Sequence, residues 1–358
     1  MTGRKKGAGK TMKAKLNRSK GKSVIENSLI EHNWSHLIDT GSTLLNLIIS
    51  GGRVREGGIP GGAMVEAFGP SGQGKTALAC EIGASVIRAG GKVKYIDPEG
   101  RLDHQYAKVY GLPLSEDEKN YVRPDTISEM FDEHIMKWDD WADEDTFSAI
   151  IVDGCSALTT DQELSDSGDP YGGRRAKEFS EGCRKSGRII SNKNRLLVFT
   201  SQVREKMGGG IGDKETTSNG RAIEFYASLR IRIGKPAQGN KIMKKIKHHN
   251  KEISKAIGIC AEASIRKSSV DDPFRKCLIY LMFGYGLDDI RSNLVYNKAM
   301  FNEKSYVTGE RSKAVSLEEA VRKVEEAENE EWLRNRTIDL WHEIENKLTV
   351  KRKKKVYR

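Results

Sequence analysis

The segment AMVEAFGPSGQGKTALACEIGASVIRAGGKVKYID, residues 63–97, places a glycine-rich turn between an apolar strand pattern and a helical pattern. Within it, GPSGQGKT at 69–76 fits the spacing G-x-x-x-x-G-K-[ST]. Glycines in such a turn let backbone N–H groups face phosphate oxygens, and the start of the following helix adds a positive dipole end. The segment therefore predicts a phosphate-binding loop in an α/β fold. A chance match in a glycine-rich turn is the alternative, which the flanking strand and helix disfavour.

Three strand ends supply the polar groups that phosphate chemistry needs. Lys75 is predicted to reach the β- and γ-phosphates, and the Thr76 hydroxyl to ligate Mg²⁺. Asp153 ends the apolar stretch SAIIVD, so it is predicted to be the acid beside Mg²⁺. Asp97 and Glu99, in KVKYIDPEG, are both candidates for the group that activates or positions the attacking water. The predicted nucleotide-binding residues of the loop are Gly69, Pro70, Ser71, Gly72, Gln73, Gly74, Lys75 and Thr76.

A strand, turn and helix pattern repeats from about 63 to 283. The strand candidates are 63–68, 92–97, 148–153, 195–201, 227–234, 261–267 and 277–283. Several are nearly continuous apolar runs, which are typical of parallel strands covered by helices on both faces. The sequence therefore predicts an α/β core with a mostly parallel central sheet. A helical pattern near the C-terminus, with Ser316 and Glu319 at capping-box spacing, predicts a small helical appendage.

The charge is concentrated at the two ends of the chain. The 358 residues contain 61 Lys and Arg against 50 Asp and Glu, a formal net charge of +11. Residues 1–22 carry nine basic residues and 351–358 carry six, neither with an acid, so 23–350 has 46 basic and 50 acidic residues. Basic tails favour a nucleic-acid partner, with simple solubilisation as the alternative. The lysine-rich patch at 241–255 is predicted to be either a second site for duplex DNA or a solvated hairpin.

Two broad classes are excluded by composition. The chain is 37% hydrophobic, and no stretch approaches the ~18 uncharged apolar residues of a membrane span. Five widely spaced cysteines, without a CxxC pair, are typical of buried thiols in a reducing cytoplasm rather than of disulfides or zinc ligands. We expect a cytoplasmic protein without a membrane partner.

Across about 37–300 these motifs resemble the RecA family of recombinases. The stretch IDTGSTLLNLIISGG and the phosphate loop resemble the entry segment and Walker A motif of that family, and IDPEGRLDHQYAKVYG resembles the segment with its catalytic glutamate. The resemblance implies a RecA-like P-loop NTPase core that uses ATP and Mg²⁺. It makes Glu99 the general base, Asp153 the Walker B acid, and Asp103 and Tyr106 the residues that bind adenine.

The resemblance also implies two DNA-binding loops. FTSQVREKMGGGIGDKETTSNGRAIEFYASLRIRI resembles the strand, γ-phosphate-sensing glutamine and second DNA-binding loop of the family, which makes Gln202 the sensor and about 203–220 the loop. DQELSDSGDPYGGRRAKEFSEGCRK resembles the first loop and its helix. Met207 falls where the family inserts an apolar wedge between bases; an ordinary loop methionine is the alternative. The predicted DNA-binding residues are Arg174, Arg175, Lys177, Arg184, Arg204, Lys206, Met207, Asn219 and Gly220.

The family builds its ATP site between neighbouring subunits of a filament, with two lysines reaching across. Lys267 matches one of them and is predicted to be catalytic, but Ser269 stands at the other position and Glu224 replaces a lysine. The resemblance implies a recombinase that forms a filament on single-stranded DNA and exchanges strands with a homologous duplex. The alternatives are a hexameric helicase motor and a mediator that binds ATP and DNA without exchanging strands. The divergence favours a phage-encoded protein, acting at the nucleoid or in an infected host cell.

Three regions are predicted. Residues 1–36 form a basic tail and an oligomerisation helix, 37–300 form the ATPase core with both DNA loops, and 301–358 form the helical appendage with a basic tail.

Overall fold

The structure is a computed structural model that describes residues 36–115, 117, 119–165, 173–192, 194–205, 215–217, 222–237, 239–350 and 352. Its strands are β1 Leu37–Ile38, β2 Ile59–Pro60, β3 Ala63–Gly69, β4 Lys92–Ile96, β5 Tyr121–Val122, β6 Ser148–Val152, β7 Arg195–Glu205, β8 Glu215–Thr217, β9 Leu229–Gly234, β10 Lys241–His248, β11 Lys251–Ser268, β12 Lys276–Met282, β13 Gly286–Leu287, β14 Tyr306–Gly309 and β15 Ser312–Ala314. Its helices are α1 Thr43–Ser50, α2 Lys75–Arg88, α3 His104–Val109, α4 Ile127–Glu129, α5 Asp161–Leu164, α6 Gly173–Ile189, α7 Ala222–Tyr226, α8 Asp289–Met300, α9 Leu317–Glu326 and α10 Glu330–Leu348. The segment Met130–Ile135 continues α4 as a π-helix.

Among the described residues, eleven strands form one sheet. Its path is β13-β12-β11-β9-β3-β7-β6-β4-β5, with β10 added to β11 and β8 to β7. The strands from β9 to β5 pair in parallel, which confirms the predicted parallel centre. From β9 outward, β11, β12 and β13 continue the sheet in antiparallel order, which the sequence patterns did not reveal.

The central strands are buried on both faces because successive side chains point to opposite helical layers. Val65, Ile151 and Val198 belong to one core cluster together with the apolar side of α2. Their chain neighbours, such as Ile150 and Leu197, belong to a second cluster with residues of α6 and the π-helix. The apolar runs seen in the sequence therefore correspond to a two-sided core, as predicted.

The helical appendage predicted near the C-terminus is present. Ser316 caps α9 by accepting a hydrogen bond from the Glu319 N–H at 3.2 Å, in line with the capping spacing. Ile338 and Trp341 of α10 pack with Leu47 of α1. The helix predicted within 1–36 lies outside the described residues, and the three region boundaries remain predictions.

The cysteines and the helices of the described residues were the subject of two further predictions. All five cysteines are free thiols; Cys80, Cys155 and Cys183 are buried as predicted, whereas Cys260 and Cys277 are only half-buried, since they lie on the outer strands β11 and β12. In the part of the chain that the structure describes, no helix has the length and apolarity to cross a bilayer. The cytoplasmic location remains a prediction.

Candidate nucleotide site and nucleic-acid interface

The glycine-rich loop joins β3 to α2, and its glycines have different tasks. Gly69 ends β3, and a Cβ atom there would lie 1.9 Å from the Ile233 carbonyl oxygen, so strand packing requires a glycine. Gly72 and Gly74 have φ of +70° and +93°, which other residues rarely adopt. Gly74 is the N-cap of α2, so the loop opens directly onto a helix N-terminus. This backbone fits a bound phosphate group.

The Lys75 ammonium is held at the loop itself. Its Nζ donates to the Gly69 carbonyl at 3.0 Å and to the Pro70 carbonyl at 2.8 Å. Burial lowers the pKa of Lys75, while the carboxylates of Asp153 and Glu99 oppose that shift. The predicted phosphate lysine and the two predicted acids therefore lie together.

Asp153 lies just beyond the end of β6, buried under a set of hydroxyl groups. Its Oδ1 accepts from the Thr200 hydroxyl at 2.5 Å, and its Oδ2 accepts from the Tyr95 hydroxyl at 2.9 Å. Burial raises the pKa of Asp153, and hydrogen bonds from Thr200, Thr76 and Tyr95 oppose the rise. The Thr76 hydroxyl and the Asp153 carboxylate are thus adjacent oxygen donors, the kind that Mg²⁺ prefers. The residues fit the predicted metal ion.

Tyr95 is a contributor to this site that the motif reading missed. Its side chain is fully buried in β4, and burial raises the pKa of Tyr95 well above its usual range, so the hydroxyl stays protonated and donates to Asp153. The signal in the sequence was a tyrosine within an otherwise buried strand, since a buried phenol needs a hydrogen-bond partner. Tyr95 therefore orients the predicted metal carboxylate.

We expect Tyr95→Phe to weaken Mg²⁺ binding about 10-fold or more, because partners that orient metal ligands typically contribute 10–100-fold to affinity. The measurement is the Mg²⁺ concentration that gives the half-maximal rate of the predicted ATP hydrolysis. Tyr121→Phe is the matched control, since the Tyr121 hydroxyl donates at 2.8 Å to Asp97 instead. Equal Mg²⁺ requirements for the two variants would contradict the role assigned to Tyr95.

The geometry separates the two candidates for water activation. The Asp97 carboxylate accepts hydrogen bonds from the Gly100 and Leu102 N–H groups at 3.0 and 2.9 Å and from the Tyr121 hydroxyl, so it organises the turn after β4. Glu99 projects from that turn into the site. A Cβ on Gly154 would lie 2.7 Å from the Glu99 Cγ, so this glycine leaves room for the glutamate beside Asp153. The arrangement favours Glu99 as the general base.

Gln202, the predicted sensor, lies beside the phosphate loop but within β7, and not at the end of its strand as predicted. It pairs in register with Gly69 across β7 and β3, so it stands beside the start of the phosphate loop. Its Nε2 donates to the Glu99 Oε1 at 3.4 Å, and the Arg101 guanidinium lies 3.2 Å from the other Glu99 oxygen. The second DNA-binding loop was predicted to begin at about 203, but β7 continues to Glu205 and β8 covers Glu215–Thr217, so parts of the predicted loop are strands.

The predicted adenine residues lie on α3. Asp103 is the N-cap of this helix and accepts from the Gln105 N–H at 2.8 Å, so it has a structural task whatever else it binds. The Tyr106 side chain is part-exposed, and the Tyr110 hydroxyl donates to the Tyr106 hydroxyl at 2.6 Å. The two rings meet edge to face with centroids 5.1 Å apart. Tyr110 thus holds Tyr106 in place, a contact with the helical spacing i, i+4.

Lys267 is not brought to the phosphate loop of its own chain. Its Nζ donates to the backbone carbonyls of Glu224 and Phe225 at 2.9 and 2.6 Å. Glu224, which replaces a family lysine, lies 3.0 Å from the Arg230 guanidinium. A contribution of Lys267 to a neighbouring subunit's site remains a prediction.

The helix α6 carries the described part of the predicted DNA interface. Arg174, Lys177 and Arg184 are exposed along it, and Arg188 extends the same stripe by one turn although the motif did not include it. Arg175 differs, because it is part-buried and donates to the Ser156 carbonyl at 2.7 Å. It therefore anchors α6 to the segment after β6.

The remaining predicted DNA-binding residues are not placed. Lys206, Met207, Asn219 and Gly220 lie outside the described residues, and of Arg204 only the backbone, in β7, is described. Their contacts with DNA remain predictions.

Comparison with known proteins gives one family. The family model for the RecA N-terminal domain matches residues 10–288. The chain is 34% identical over 255 residues to Protein RecA of Thermus aquaticus, covering 71% of this chain and 69% of that protein. It is 33% identical over the same length, with the same coverage, to Protein RecA of Thermus thermophilus. Superposition of this chain on a crystal structure of the RadB recombinase gives a TM-score of 0.49 with 17% sequence identity, and it covers 71% of this chain and 100% of that one.

Proposed function

The chain belongs to the RecA family of recombinases, and from this premise we propose that it is a DNA-dependent ATPase that pairs and exchanges homologous strands. On this proposal it forms a helical filament on single-stranded DNA with ATP and Mg²⁺ bound. One observation carries the proposal. Gln202 lies at the junction between the nucleotide site and the predicted second DNA-binding loop, within 3.4 Å of Glu99.

Each residue of the site has a task in the proposed hydrolysis. Lys75 binds the β- and γ-phosphate oxygens, and Thr76 and Asp153 hold Mg²⁺, which supplies neutralising charge to those oxygens when bound. Glu99 accepts a proton from the attacking water as the water oxygen bonds to the γ-phosphorus. The bond from that phosphorus to the β–γ bridging oxygen breaks, and its electron pair leaves with ADP, so the products are ADP and inorganic phosphate. Tyr106 and Asp103 bind the adenine, which orients the nucleotide along the loop.

The proposed coupling between ATP and DNA runs along β7. Gln202 donates to Glu99 in the described arrangement, and the same amide can instead donate to a γ-phosphate oxygen. Beyond Gln202 the strand pairs with β8, where Val203 lies opposite Thr217, so the two ends of the predicted loop pair with each other and one of them continues directly from Gln202. Nucleotide-dependent ordering of such a segment is a common type of switch.

The exposed basic side chains of α6 suit a protein that binds DNA of any sequence. Arg174, Lys177 and Arg184 project from one helix, and such side chains neutralise backbone phosphates without reading bases. Sequence selection is then left to pairing between the bound strand and the incoming duplex.

A mediator that does not exchange strands is the second candidate, and the neighbourhood of Lys267 supports it. In a filament, Lys267 would have to leave the Glu224 and Phe225 carbonyls to reach a neighbouring ATP. Ser269 has no charge to assist it. Strand exchange between a circular single strand and a linear duplex distinguishes the candidates: product supports the recombinase, and DNA binding without product supports the mediator.

The test of the proposed activity compares ATP hydrolysis with and without single-stranded DNA. We expect stimulation of the natural protein, and a loss of about 10²–10³-fold in the stimulated rate for Lys75→Ala, the range seen when one preorganised donor to a developing charge is removed. Phosphate release measures the rate.

Lys94→Ala is the matched control, since Lys94 is a half-buried lysine of β4 that lies over the Trp141 ring instead of the phosphate loop. It should keep the stimulation. If single strands fail to stimulate the natural protein, the proposed DNA-dependent ATPase is wrong.

A further inference from the structure

The lysine-rich patch of the sequence forms a projecting two-stranded ribbon. Lys241–His248 of β10 pair with residues 251–259 of β11, and β12 joins β11 only from Gly258 onward. The strands turn at His249 and Asn250, whose φ of 43° and 62° match the two-residue hairpin turn that suits the twist of antiparallel strands. Nearly all of the ribbon is exposed. It is therefore a surface element and not part of the core.

A β-bulge between Ile242 and Met243 decides which side chains share a face. Beyond the bulge, directly opposed residues lie on the same face and alternate residues on the other. One face, here named the basic face, carries Lys244, Ile246, His248, Lys251, Ile253 and Lys255. The opposite face carries Met243, Lys245, Lys247, Glu252, Ser254 and Ala256. All charge of the basic face is positive, whereas the opposite face contains an acid.

The two faces differ in how their charge is compensated. On the opposite face, the Glu252 carboxylate lies 2.8 Å from the Lys245 ammonium. On the basic face, Lys244 stands directly opposite Lys255. Like charges opposed across two strands are destabilising. Lys244 contributes to lowering the pKa of Glu318 on α9, but that carboxylate is already bound by both Arg291 guanidinium nitrogens at 2.9 and 2.8 Å.

Two isoleucines lie at the centre of the basic face. Ile246 and Ile253 oppose each other, and 51% and 47% of their surfaces are exposed. Among the described residues, the lysines beside this apolar pair form no ion pair, which suits a partner that offers negative charge at its edges and contact surface between them. The face therefore fits a polyanion rather than solvent alone.

We propose that the basic face binds the phosphate backbone of duplex DNA, as a contact separate from the two predicted loops. A duplex presents closely spaced phosphates, and a two-stranded ribbon fits its major groove, which is about 12 Å wide. The proposal rests on the proposed function, in which a homologous duplex is the second DNA substrate.

The base of the ribbon adjoins the nucleotide site. Asn240, the residue before β10, donates through Nδ2 to the Gln73 side-chain oxygen in the phosphate loop at 3.4 Å. The ribbon follows β9, whose end packs against Gly69 through the Ile233 carbonyl. The base of the ribbon thus lies beside the phosphate loop, at the part of the sheet that also carries Gln202.

The test compares two double variants that remove the same charge from the two faces. Lys244→Gln with Lys255→Gln acts on the basic face, and Lys245→Gln with Lys247→Gln acts on the opposite face. Binding of the full-length protein to a fluorescent duplex and to a fluorescent single strand is measured by anisotropy across a salt series. ATP hydrolysis stimulated by single strands is measured in parallel.

For the basic-face variant we expect the slope of log affinity against log salt for the duplex to decrease by ~1.8, since each lysine–phosphate contact contributes ~0.9. Between about 50 and 200 mM salt, the factor by which this variant loses duplex affinity should therefore be about 10-fold smaller than the factor for the natural protein. The opposite-face variant should keep the natural slope. Single-strand binding and stimulated hydrolysis should be unchanged in both, because neither variant alters the loops or α6.

The proposal would be overturned by unchanged duplex binding in the basic-face variant, by equal losses of duplex binding in both variants, or by an equal loss of single-strand binding in the basic-face variant. A loss of filament assembly in the basic-face variant alone would overturn it too, because the face would then bind a second copy of the chain. If single-stranded DNA does not stimulate ATP hydrolysis by the natural protein, the proposed function is refuted. The salt dependence of duplex binding would still show whether the basic face contacts the duplex.

Discussion

Glu99→Gln is expected to reduce ATP hydrolysis by about 10²–10⁴-fold while leaving ATP binding intact, because the amide cannot accept the proton that a general base takes from water. Glutamine has nearly the same shape, so the contact with Gly154 and the approach of Gln202 should persist. The rate is measured by phosphate release at saturating single-stranded DNA. Binding is measured with a fluorescent ATP analogue.

The control applies the same chemical change to an exposed position. Glu319→Gln, on α9, should leave hydrolysis unchanged, since its carboxylate pairs with Lys323 on the same helix and, among the described residues, has no contact with the nucleotide site. If the Glu99→Gln variant binds ATP and turns it over at the natural rate, another group activates the water. A loss of ATP binding in that variant would instead assign Glu99 to nucleotide affinity.

Arg230→Ala is expected to lower the free energy of unfolding by about 3–5 kcal/mol, because it leaves a buried carboxylate without its charge partner. The partner is Glu66, which is fully buried in β3, and the Arg230 Nε donates to it at 2.6 Å. The guanidinium also lies over the Phe68 ring, 4.3 Å from its centroid. Urea unfolding of the natural protein and the variant measures the difference.

The pH dependence of this variant identifies the cause. Burial raises the pKa of Glu66, an effect that Arg230 partly opposes, so removing Arg230 raises the folded-state pKa further above its unfolded value. A carboxyl with a raised folded pKa is better tolerated when protonated, and stability is lost as pH rises through that pKa. The deficit of Arg230→Ala should therefore be larger at about pH 8 than at about pH 5.5.

Two further variants test whether a buried, unpaired charge causes the loss of stability. Replacing the pair together, by Glu66→Gln with Arg230→Met, should recover most of the lost stability, since no buried charge remains. Lys92→Ala breaks the exposed ion pair between Lys92 and Asp143 and should cost at most about 1 kcal/mol. A deficit for Arg230→Ala as small as that of Lys92→Ala would contradict the buried-pair explanation.

Local patterns predicted the features that depend on neighbouring residues. The phosphate loop, the seven strands and the Ser316 cap each require particular residue types within a few positions, so a single stretch of sequence is enough to identify them. The same holds for the placement of Asp153 at a strand end. Gln202 was predicted to end its strand, but it lies within β7, which continues to Glu205 through its pairing with β8. Where two acids stood in one short stretch, as Asp97 and Glu99 do, the pattern alone left both as candidates.

What the sequence determined by itself is the α/β class, the phosphate loop and its family resemblance, because these follow from residue type and spacing along the chain. Only the tertiary structure decided that Tyr95 orients Asp153 and that Arg230 neutralises Glu66, 164 positions away. It also placed the ribbon lysines on two different faces. These features depend on sheet register and on one bulge, and register is set by packing between strands that are distant in the chain.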